Sequence, residues 1–270
     1  MKNSHNHLSI SQNFFKNPSY VRYLISLSSV CDQDHILEIG AGSGVITEEL
    51  AKAAQHVIAL EIDKVYFEQV QARVRRYQNV TCKRVDFMRY QLPDEAYKVF
   101  ANIPFSITAE IIDKLLGSSD APNEAFLIMQ REAADKFVVQ SGSTEASALW
   151  QPWYEFEILA EIDRTQFQPV PSVDAALLSI RKRRWPLLKG EPQPDYGRFV
   201  SFGFRAWKKD LKTAYKQVFT HVQWKRLAKQ GRFAQDAKPS DLTPEQWAGL
   251  FNYYQVGVSA EKKKRLAANS

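Results

Sequence analysis

The run Asn102-Ile103-Pro104-Phe105 places a side-chain amide, a backbone carbonyl, a proline and an aromatic ring next to one another. The exocyclic amine of adenine is a poor nucleophile because its lone pair is delocalised into the ring. The Asn102 amide oxygen and the Ile103 carbonyl could accept its two N–H groups and direct the lone pair toward an electrophile. Pro104 would fix the direction of that carbonyl, and Phe105 would stack on an extruded base. The ordinary alternative is a strand that ends in an X-Pro turn without chemistry.

A glycine-rich segment, Glu38–Gly44 (EIGAGSG), precedes this run and follows an apolar stretch. Glycines at positions 40, 42 and 44 allow the backbone to approach a ligand closely. Their spacing, Gly-x-Gly-x-Gly, differs from the Gly-x-Gly-x-x-Gly that cradles a pyrophosphate. The segment therefore indicates a ligand without phosphates rather than NAD, although plain tight turns share such glycines.

Two acidic residues follow the next apolar runs. Glu61 lies 17 residues beyond Gly44 and could accept both hydroxyls of a ribose. Asp86 could accept a hydrogen bond from an adenine amino group while Phe87 packs on the ring, or it could simply cap a turn. Asp63 is expected to cap a helix. Together these residues predict a nucleoside site at the carboxyl ends of successive strands.

The segments that must position these residues alternate between strand-like and helical patterns, which predicts βαβ units and a mainly parallel sheet. The strand-like runs are His35–Gly40, His56–Asp63, Val80–Asp86, Lys98–Asn102 and Glu124–Gln130. The helical segments are Ile46–Ala54, Lys64–Tyr77, Thr108–Leu116 and Arg131–Val139. Two further runs, Tyr154–Ile162 and Asp174–Arg183, could close one edge of the sheet as an antiparallel pair.

The chain changes character from Trp185 onward. A connection rich in proline and glycine precedes three helical segments, Arg198–His221, Trp224–Gly231 and Pro244–Tyr254. Residues 1–180 contain 16 Lys and Arg against 23 Asp and Glu, whereas residues 181–270 contain 20 against 7. This asymmetry predicts a small basic domain that meets a polyanion, or else a basic surface kept for solubility.

Bulk composition excludes several classes of protein. The hydrophobic content of 44% is that of an ordinary globular chain. No apolar run is long enough to span a membrane, and the first residues lack the apolar core of a secretory signal. Cys31 and Cys82 have no zinc-ligand pattern around them and are interpreted as core fillers in a reducing compartment. We therefore expect a cytoplasmic monomer without a metal.

The motifs together resemble the rRNA adenine N6-methyltransferases that use S-adenosylmethionine, and within them the erythromycin-resistance (Erm) group. The resemblance covers about the first 180 residues in order; the remainder is similar only in being helical and basic. It rests on the stretches SQNFF (Ser11–Phe15), EIGAGSGVIT (Glu38–Thr47), ALEID (Ala59–Asp63), VDF (Val85–Phe87), NIPF (Asn102–Phe105), IMQREAADKF (Ile128–Phe137), ALWQPWYEFEI (Ala148–Ile158) and FQPVPSVDAALLSI (Phe167–Ile180).

This resemblance implies roles for individual residues. The residues expected to contact S-adenosylmethionine are Asn13, Phe15, Gly40, Gly42, Glu61, Ile62, Asp86 and Asn102. Of these, Gly40 and Gly42 would contact the methionine portion, Glu61 the ribose, and Ile62 with Asp86 the adenine. Asn102 would also touch the target base, on which Phe105 would stack.

The expected RNA contacts are cations that bind phosphates. They are Arg181, Lys182, Arg183, Arg184, Arg205, Lys208, Lys209 and Lys212. For the group around Arg205, a solvated helix face is the alternative.

The predicted fold is α/β, with a Rossmann-like class I methyltransferase domain at residues 1–184 and a small helical RNA-binding domain at residues 185–270. The predicted reaction is methylation of adenine N6 in large-subunit (23S) rRNA, which would confer resistance to macrolide antibiotics. Phe105 stands where Tyr is common, which keeps the stacking surface and removes a hydroxyl.

Three alternative functions remain open. Small-subunit (16S) rRNA dimethyltransferases usually have Gln-His-Phe and Asn-Leu-Pro-Tyr where this chain has QNF and NIPF. A nucleic-acid-binding factor without turnover could keep the same fold, although the intact Asn102, Pro104 and Phe105 argue against it. A DNA amino-methyltransferase would more often carry Asn/Asp-Pro-Pro-Tyr/Phe.

Overall fold

The structure is a computed structural model that describes residues 13–139, 142–205 and 210–268. The described residues form two compact units. The first contains the chain up to Ala134 together with Glu157–Ile180, and the second contains Asp135–Phe156 and the chain from Arg181 onward. The sequence placed a single boundary at residue 184; the structure instead adds Asp135–Phe156 to the second unit. The hydroxyl of Tyr196 donates to the Ala148 carbonyl (2.7 Å), which ties this inserted segment to the basic part of the chain.

Within the described residues, nine strands form one large and one small sheet. They are β1 (Phe14–Phe15), β2 (His35–Ile39), β3 (His56–Glu61), β4 (Val80–Arg84), β5 (Lys98–Asn102), β6 (Glu124–Gln130), β7 (Tyr154–Ile162), β8 (Phe167–Gln168) and β9 (Ala175–Lys182). The large sheet has the order β4-β3-β2-β5-β6-β9-β7. Strands β2 to β6 pair in parallel, and β1 pairs with β8 in a two-stranded antiparallel sheet. The predicted α/β fold with a central parallel sheet is confirmed, and β7 and β9 lie together at one edge as expected.

The helices of the first unit connect these strands. They are α1 (Pro18–Ser26), α2 (Val45–Ala53), α3 (Lys64–Val74), α4 (Thr108–Leu116) and α5 (Arg131–Asp135). Asp63 caps α3 as predicted, because its carboxylate accepts from the backbone N–H groups of Val65 and Tyr66. The segment predicted to be helical to Val139 ends earlier, at Asp135.

Strands β5 and β6 at the centre of the sheet are mostly apolar and buried, as expected for a parallel sheet covered on both faces. Ile36, Val57, Phe100, Phe126 and Ile128 belong to one buried cluster. A strand of this kind ends where polar residues can reach solvent, and β5 ends at Asn102.

The second unit is helical and has an aromatic core. Its helices are α6 (Glu145–Trp150), α7 (Pro194–Arg205), α8 (Leu211–Ala214), α9 (His221–Gly231), α10 (Pro244–Gly257) and α11 (Ala260–Ala268). Phe199 lies at the centre of this core, stacked on Tyr215 with ring centroids 4.8 Å apart and edge-on to Trp247. The predicted helix Arg198–His221 is divided into α7 and α8, and Asp210 caps α8 by accepting from the Thr213 backbone N–H (2.7 Å).

Along the described ranges, no helix has the length and apolar character to cross a membrane. Nor do these ranges contain a cluster of three or more His, Cys, Asp or Glu side chains arranged to hold a metal ion.

Candidate active site

The strand order reverses between β2 and β5. The chain runs outward from β2 through β3 to β4 and then returns to the other side of β2 to form β5 and β6. Helices that leave β2 and β5 therefore lie on opposite faces of the sheet, which opens a crevice beyond the carboxyl ends of these two strands. Gly40 follows β2, and Asn102 ends β5, so the glycine-rich segment and the Asn102 run flank the same crevice.

A cleft that is partly open to solvent occupies this crevice. Twelve residues line it: Asn13, Phe14, Phe15, Gly40, Ala41, Ser43, Val45, Ile46, Asn102, Ile103, Pro104 and Phe105. Three stretches that are far apart in sequence thus converge on one cleft, whereas Glu61 and Asp86 are not among the lining residues.

The glycine-rich loop is held in a left-handed backbone conformation. Gly40 has φ 72° and Gly42 has φ 54°, values that residues with a side chain rarely adopt. The Gly40 and Ala41 backbone N–H groups both donate to the Leu60 carbonyl at 2.9 Å, which ties the loop to β3. A Cβ added at Gly40 would meet no atom within 4 Å, whereas one at Gly42 would lie 2.3 Å from Cε1 of Phe14. Gly40 therefore faces open space, and Gly42 makes room for an aromatic ring.

Glu61 connects the loop to the start of α3. Its side chain is buried, with 1% exposure. Oε2 accepts from the Gly42 backbone N–H (2.7 Å), and Oε1 accepts from the Asp63 backbone N–H (2.9 Å). A carboxylate has further lone pairs, so these bonds leave acceptor capacity for a ribose, but the cleft lining does not include Glu61. Its ribose contact stays a prediction.

The Asn102 amide is oriented by a single hydrogen bond. Nδ2 donates to the Asn13 carbonyl at 2.7 Å, which makes the other amide atom, Oδ1, the acceptor available to a ligand. Asn13 lies beside β1 and lines the same cleft. The Asn13 carbonyl thus selects one of the two orientations of the Asn102 amide.

The residues after Asn102 present a second acceptor. The Ile103 N–H donates to the Ile128 carbonyl (3.1 Å), which fixes the peptide against β6. No hydrogen bond among the described residues reaches the Ile103 carbonyl. Pro104 (φ −61°, ψ 124°) then leads into a short 3-10 helix, Phe105–Ile107. The turn is therefore an X-Pro turn in geometry, and it is also a wall of the cleft.

Phe105 separates the cleft from a second cavity. The half-buried Phe105 and Asn13 line both, and the second cavity is completed by Ser106, Gln130 and residues 169–173. The two spaces thus share the Phe105 ring and Asn13 as a common wall.

Of the two aromatic residues beside Asn13, Phe15 is the core residue. It is 5% exposed and packs on Phe167 with ring centroids 4.5 Å apart, although it reaches the cleft wall. Phe14, which the sequence analysis did not select, contacts both Gly42 and Tyr66. Adjacent residues of a strand point to opposite faces. If Phe15 is a core residue, its neighbour Phe14 must point the other way, and this alternation could have identified Phe14.

The turn after β4 is built as a cap. The Asp86 carboxylate accepts from the Met88 backbone N–H (2.9 Å), so the capping alternative is realised. Lys114 of α4 supports this turn: its Nζ donates to the carbonyls of Phe87 (2.5 Å) and Tyr90 (2.6 Å) and lies 4.8 Å from the centroid of the Phe87 ring. Phe87 is buried, whereas Ile62 is 49% exposed. The predicted adenine contacts of Ile62, Asp86 and Phe87 stay predictions.

Glu38 and Thr47 form a buried polar pair beneath the glycine-rich loop. Glu38 is 1% exposed and Thr47 is fully buried. Neither Glu38 oxygen nor the Thr47 hydroxyl has a hydrogen-bond partner among the described residues. Burial raises the pKa of Glu38 to about 8; the nearby Thr47 hydroxyl opposes this shift, and the charge of Glu61 adds to it. Burial therefore favours the protonated form of Glu38.

The predicted RNA-binding cations differ in their surroundings. Arg183 is occupied within the second unit, because its Nε donates to the Gln151 carbonyl (2.6 Å) and its Nη1 to Glu155 (3.3 Å). The exposed members are Arg181, Lys182, Arg184 and Arg205, and Lys212 is half-buried. Lys208 and Lys209 lie outside the described residues. The role of these cations stays a prediction.

Comparison with known proteins gives a consistent result. The sequence model of the family described as "Ribosomal RNA adenine dimethylase" matches residues 3–256. The chain is similar to the mycinamicin-resistance protein MyrB of Micromonospora griseorubida, with 31% identity over 92% of this chain and 79% of that protein. It is also similar to the ribosomal RNA small subunit methyltransferase A of a Nostoc strain, with 29% identity over 91% of this chain and 97% of that protein.

Among solved structures, the 23S rRNA methyltransferase ErmE is similar with a TM-score of 0.79 and 25% identity, covering 90% of this chain and 100% of that one. A dimethyladenosine transferase from Plasmodium falciparum has a TM-score of 0.76 and 20% identity, covering 91% and 98%. At that identity the second structure supports the fold alone.

Proposed function

Because the chain belongs to the ribosomal RNA adenine dimethylase family, which uses S-adenosylmethionine, we propose that it methylates N6 of an adenine in large-subunit rRNA. The observation that carries this proposal is the oriented Asn102 amide. Its Oδ1 is left as an acceptor, and both Asn102 and the next residue, Ile103, line the cleft.

The residues around the cleft fit S-adenosylmethionine. The loop has no Cβ at Gly40, where the adjoining space is open, and Gly-x-Gly-x-Gly offers backbone contacts without a phosphate cradle. Asn13, Gly40, Gly42 and Asn102 would hold the methionine end, while Glu61 would meet the ribose. The cofactor supplies a methyl group on a positively charged sulfur.

The chain's own contribution to transfer is mainly positional. Asn102 Oδ1 and the Ile103 carbonyl each accept one N–H of the target amine, which draws the nitrogen toward a tetrahedral shape with its lone pair directed into the cleft. Phe105 stacks on the extruded base. A methylated amine carries a positive charge and releases its proton to water, so no side chain with a tuned pKa is required for that step.

Large-subunit rRNA is proposed as the substrate on local sequence grounds. The stretches QNF and NIPF differ from the QHF and NLPY patterns usual in the small-subunit enzymes. Similarity to MyrB and ErmE supports this proposal. Macrolide resistance follows from it as the expected cellular effect.

A second candidate is methylation of small-subunit rRNA, because proteins named for that activity are about as similar in sequence to this chain. Overall identity does not separate the two functions, so the substrate must be tested directly.

The test is a methyl-transfer assay with labelled S-adenosylmethionine on purified 23S and 16S rRNA, followed by mapping of the modified base. We expect N6-methylated adenine in 23S rRNA, formed about 10²–10³-fold more slowly by the Asn102→Ala variant. Transfer to 16S rRNA alone would support the second candidate. Transfer to neither, with RNA binding retained, would instead indicate a binding factor without turnover.

A further inference from the structure

One tryptophan of the second unit is exposed. Among the tryptophans that the structure describes, Trp153, Trp224 and Trp247 are buried and Trp150 is half-buried, whereas Trp185 is 78% exposed. Large aromatic side chains gain more from burial than almost any other residue. The exposed indole therefore offers a large apolar surface that a ligand could cover.

The backbone on both sides of Trp185 is anchored. The Arg183 N–H donates to the Trp153 carbonyl (2.8 Å), and the Leu187 N–H donates to the Pro152 carbonyl (2.8 Å). Leu188, one residue further, is buried. The residue before a proline is also restricted to extended conformations, and Pro186 follows Trp185 directly. The ring is thus presented on a short, fixed segment.

The surroundings of Trp185 are basic. The guanidinium carbon of Arg184 lies 5.6 Å from the centroid of its ring, within the range of a cation–π contact. The side chains of Arg184 and Lys182 are exposed, and from Arg181 to Lys189 the sequence has five cations and no acidic residue. An aromatic ring with a cation beside it, on a positive segment, matches the combination by which single-stranded nucleic acids are bound.

We propose that Trp185 is a stacking site for an unpaired base of the RNA substrate, with Arg184 and Lys182 holding the adjacent phosphates. This proposal rests on the proposed function, since it assumes that RNA is the substrate. Arg184 covers part of one face of the indole, and the base stacks on the ring surface that remains open. The charge complementarity favours RNA over an apolar protein partner at this surface.

The test compares the affinity of four variants for a single-stranded RNA oligonucleotide across a range of salt concentrations. We expect Trp185→Ala to weaken binding by about 5- to 150-fold, which corresponds to ~1–3 kcal/mol for one stacked base. The slope of log K against log salt should stay unchanged because no charge is removed. Trp185→Phe, which keeps a ring, should recover most of the affinity.

Two controls complete the design. Arg184→Ala should reduce the salt slope by about 0.7, the contribution of one phosphate contact on a single strand. Val222→Ala removes an apolar side chain that is 77% exposed on α9 and should bind RNA like the wild type.

The proposal is overturned if Trp185→Ala binds RNA within about twofold of the wild type at every salt concentration, well below the loss of a stacked base. Unchanged RNA binding with a loss of self-association would assign Trp185 to a protein contact and overturns it as well. If the wild type itself binds no RNA, the proposed function is wrong. That outcome is distinct from a wild type that binds RNA and a Trp185→Ala variant that binds it equally well.

Discussion

Glu38 is a carboxyl group buried without a hydrogen-bond partner among the described residues, directly before the loop that shapes the cleft. Its pKa is raised to about 8 by burial, so the folded protein holds a proton that the unfolded chain releases near its ordinary value of 4.5. The stabilisation from this proton is complete at acidic pH and is lost as the pH rises through about 8.

Glu38→Gln should therefore flatten the pH dependence of stability. We expect the free energy of unfolding of the wild type to fall, relative to that of the variant, between about pH 5 and pH 9. Urea unfolding at several pH values measures both curves. Parallel curves would mean that Glu38 is ionised in the folded protein.

A second single residue, Lys114, supports the turn that follows β4. Its ammonium bridges the Phe87 and Tyr90 carbonyls, next to the predicted adenine contact of Asp86. Lys114→Met should free this turn and weaken S-adenosylmethionine binding by about tenfold, the loss of one charged hydrogen bond. Lys114→Arg should restore part of that affinity. Isothermal titration with the cofactor measures the effect, and unchanged affinity in Lys114→Met would contradict this positioning role.

At the scale of elements, the glycine-rich loop and strand β1 pack directly against each other. A Cβ at Gly42 would lie 2.3 Å from the Phe14 ring, so Gly42→Ala should displace β1 from the cleft. We expect a loss of about 1–3 kcal/mol in stability from this overpacking and a weaker affinity for the cofactor. In a Phe14→Leu background, the same substitution should cost less because the ring is absent.

A double-mutant cycle measured by thermal unfolding gives this coupling. Additive effects of Gly42→Ala and Phe14→Leu would contradict the contact. Tyr66→Leu offers a comparison, because the Tyr66 ring also packs on Phe14, with ring centroids 4.8 Å apart.

The sequence predicted the elements that carry this site better than it predicted their contacts. Runs rich in apolar residues and bounded by glycine or polar residues identified most of the parallel strands, because the interior of a covered sheet is mainly apolar. The position of Asn102 at the end of β5 followed from the same pattern. The Asn13 carbonyl that orients the Asn102 amide lies 89 residues away in the chain, and no local pattern encodes such a contact. Lys114 escaped notice for the same reason, since its partners are backbone carbonyls of another element.

The composition of the second unit, two separate segments of the chain, could not be predicted from the sequence. Asp135–Phe156 joins the basic unit although it lies within the acidic part of the sequence. A change in charge composition marked the start of the basic part of the chain. The segment Asp135–Phe156 carries no such change, because the chain returns to the first unit after it. Trp153 of this segment packs edge-on against Tyr196, with ring centroids 5.2 Å apart, which joins the segment to the second unit.

The division of charge is a property of the whole molecule. The net charge is −7 over residues 1–180 and +13 over residues 181–270, so RNA affinity should depend on the second group and cofactor affinity on the first. Replacing Lys182 and Lys212 together with alanine should lower the salt slope of RNA binding by about 1.4 and leave cofactor binding unchanged. Lys64→Ala, which removes an exposed lysine of α3, is the matched control and should keep the slope. An equal fall in cofactor affinity for the double variant would contradict this division.

The acceptor role of Asn102 is tested most directly in the Asn102→Ala variant, by the single-turnover rate of methyl transfer to 23S rRNA. Cofactor affinity and thermal unfolding are measured on the same preparation. The variant loses the oxygen that holds the target amine. We expect the rate to fall by about 10²–10³-fold, the effect of removing one oriented hydrogen bond at a reacting group, while the protein stays folded and still binds S-adenosylmethionine. A rate close to that of the wild type would contradict the account, because the amine would then be held by other groups.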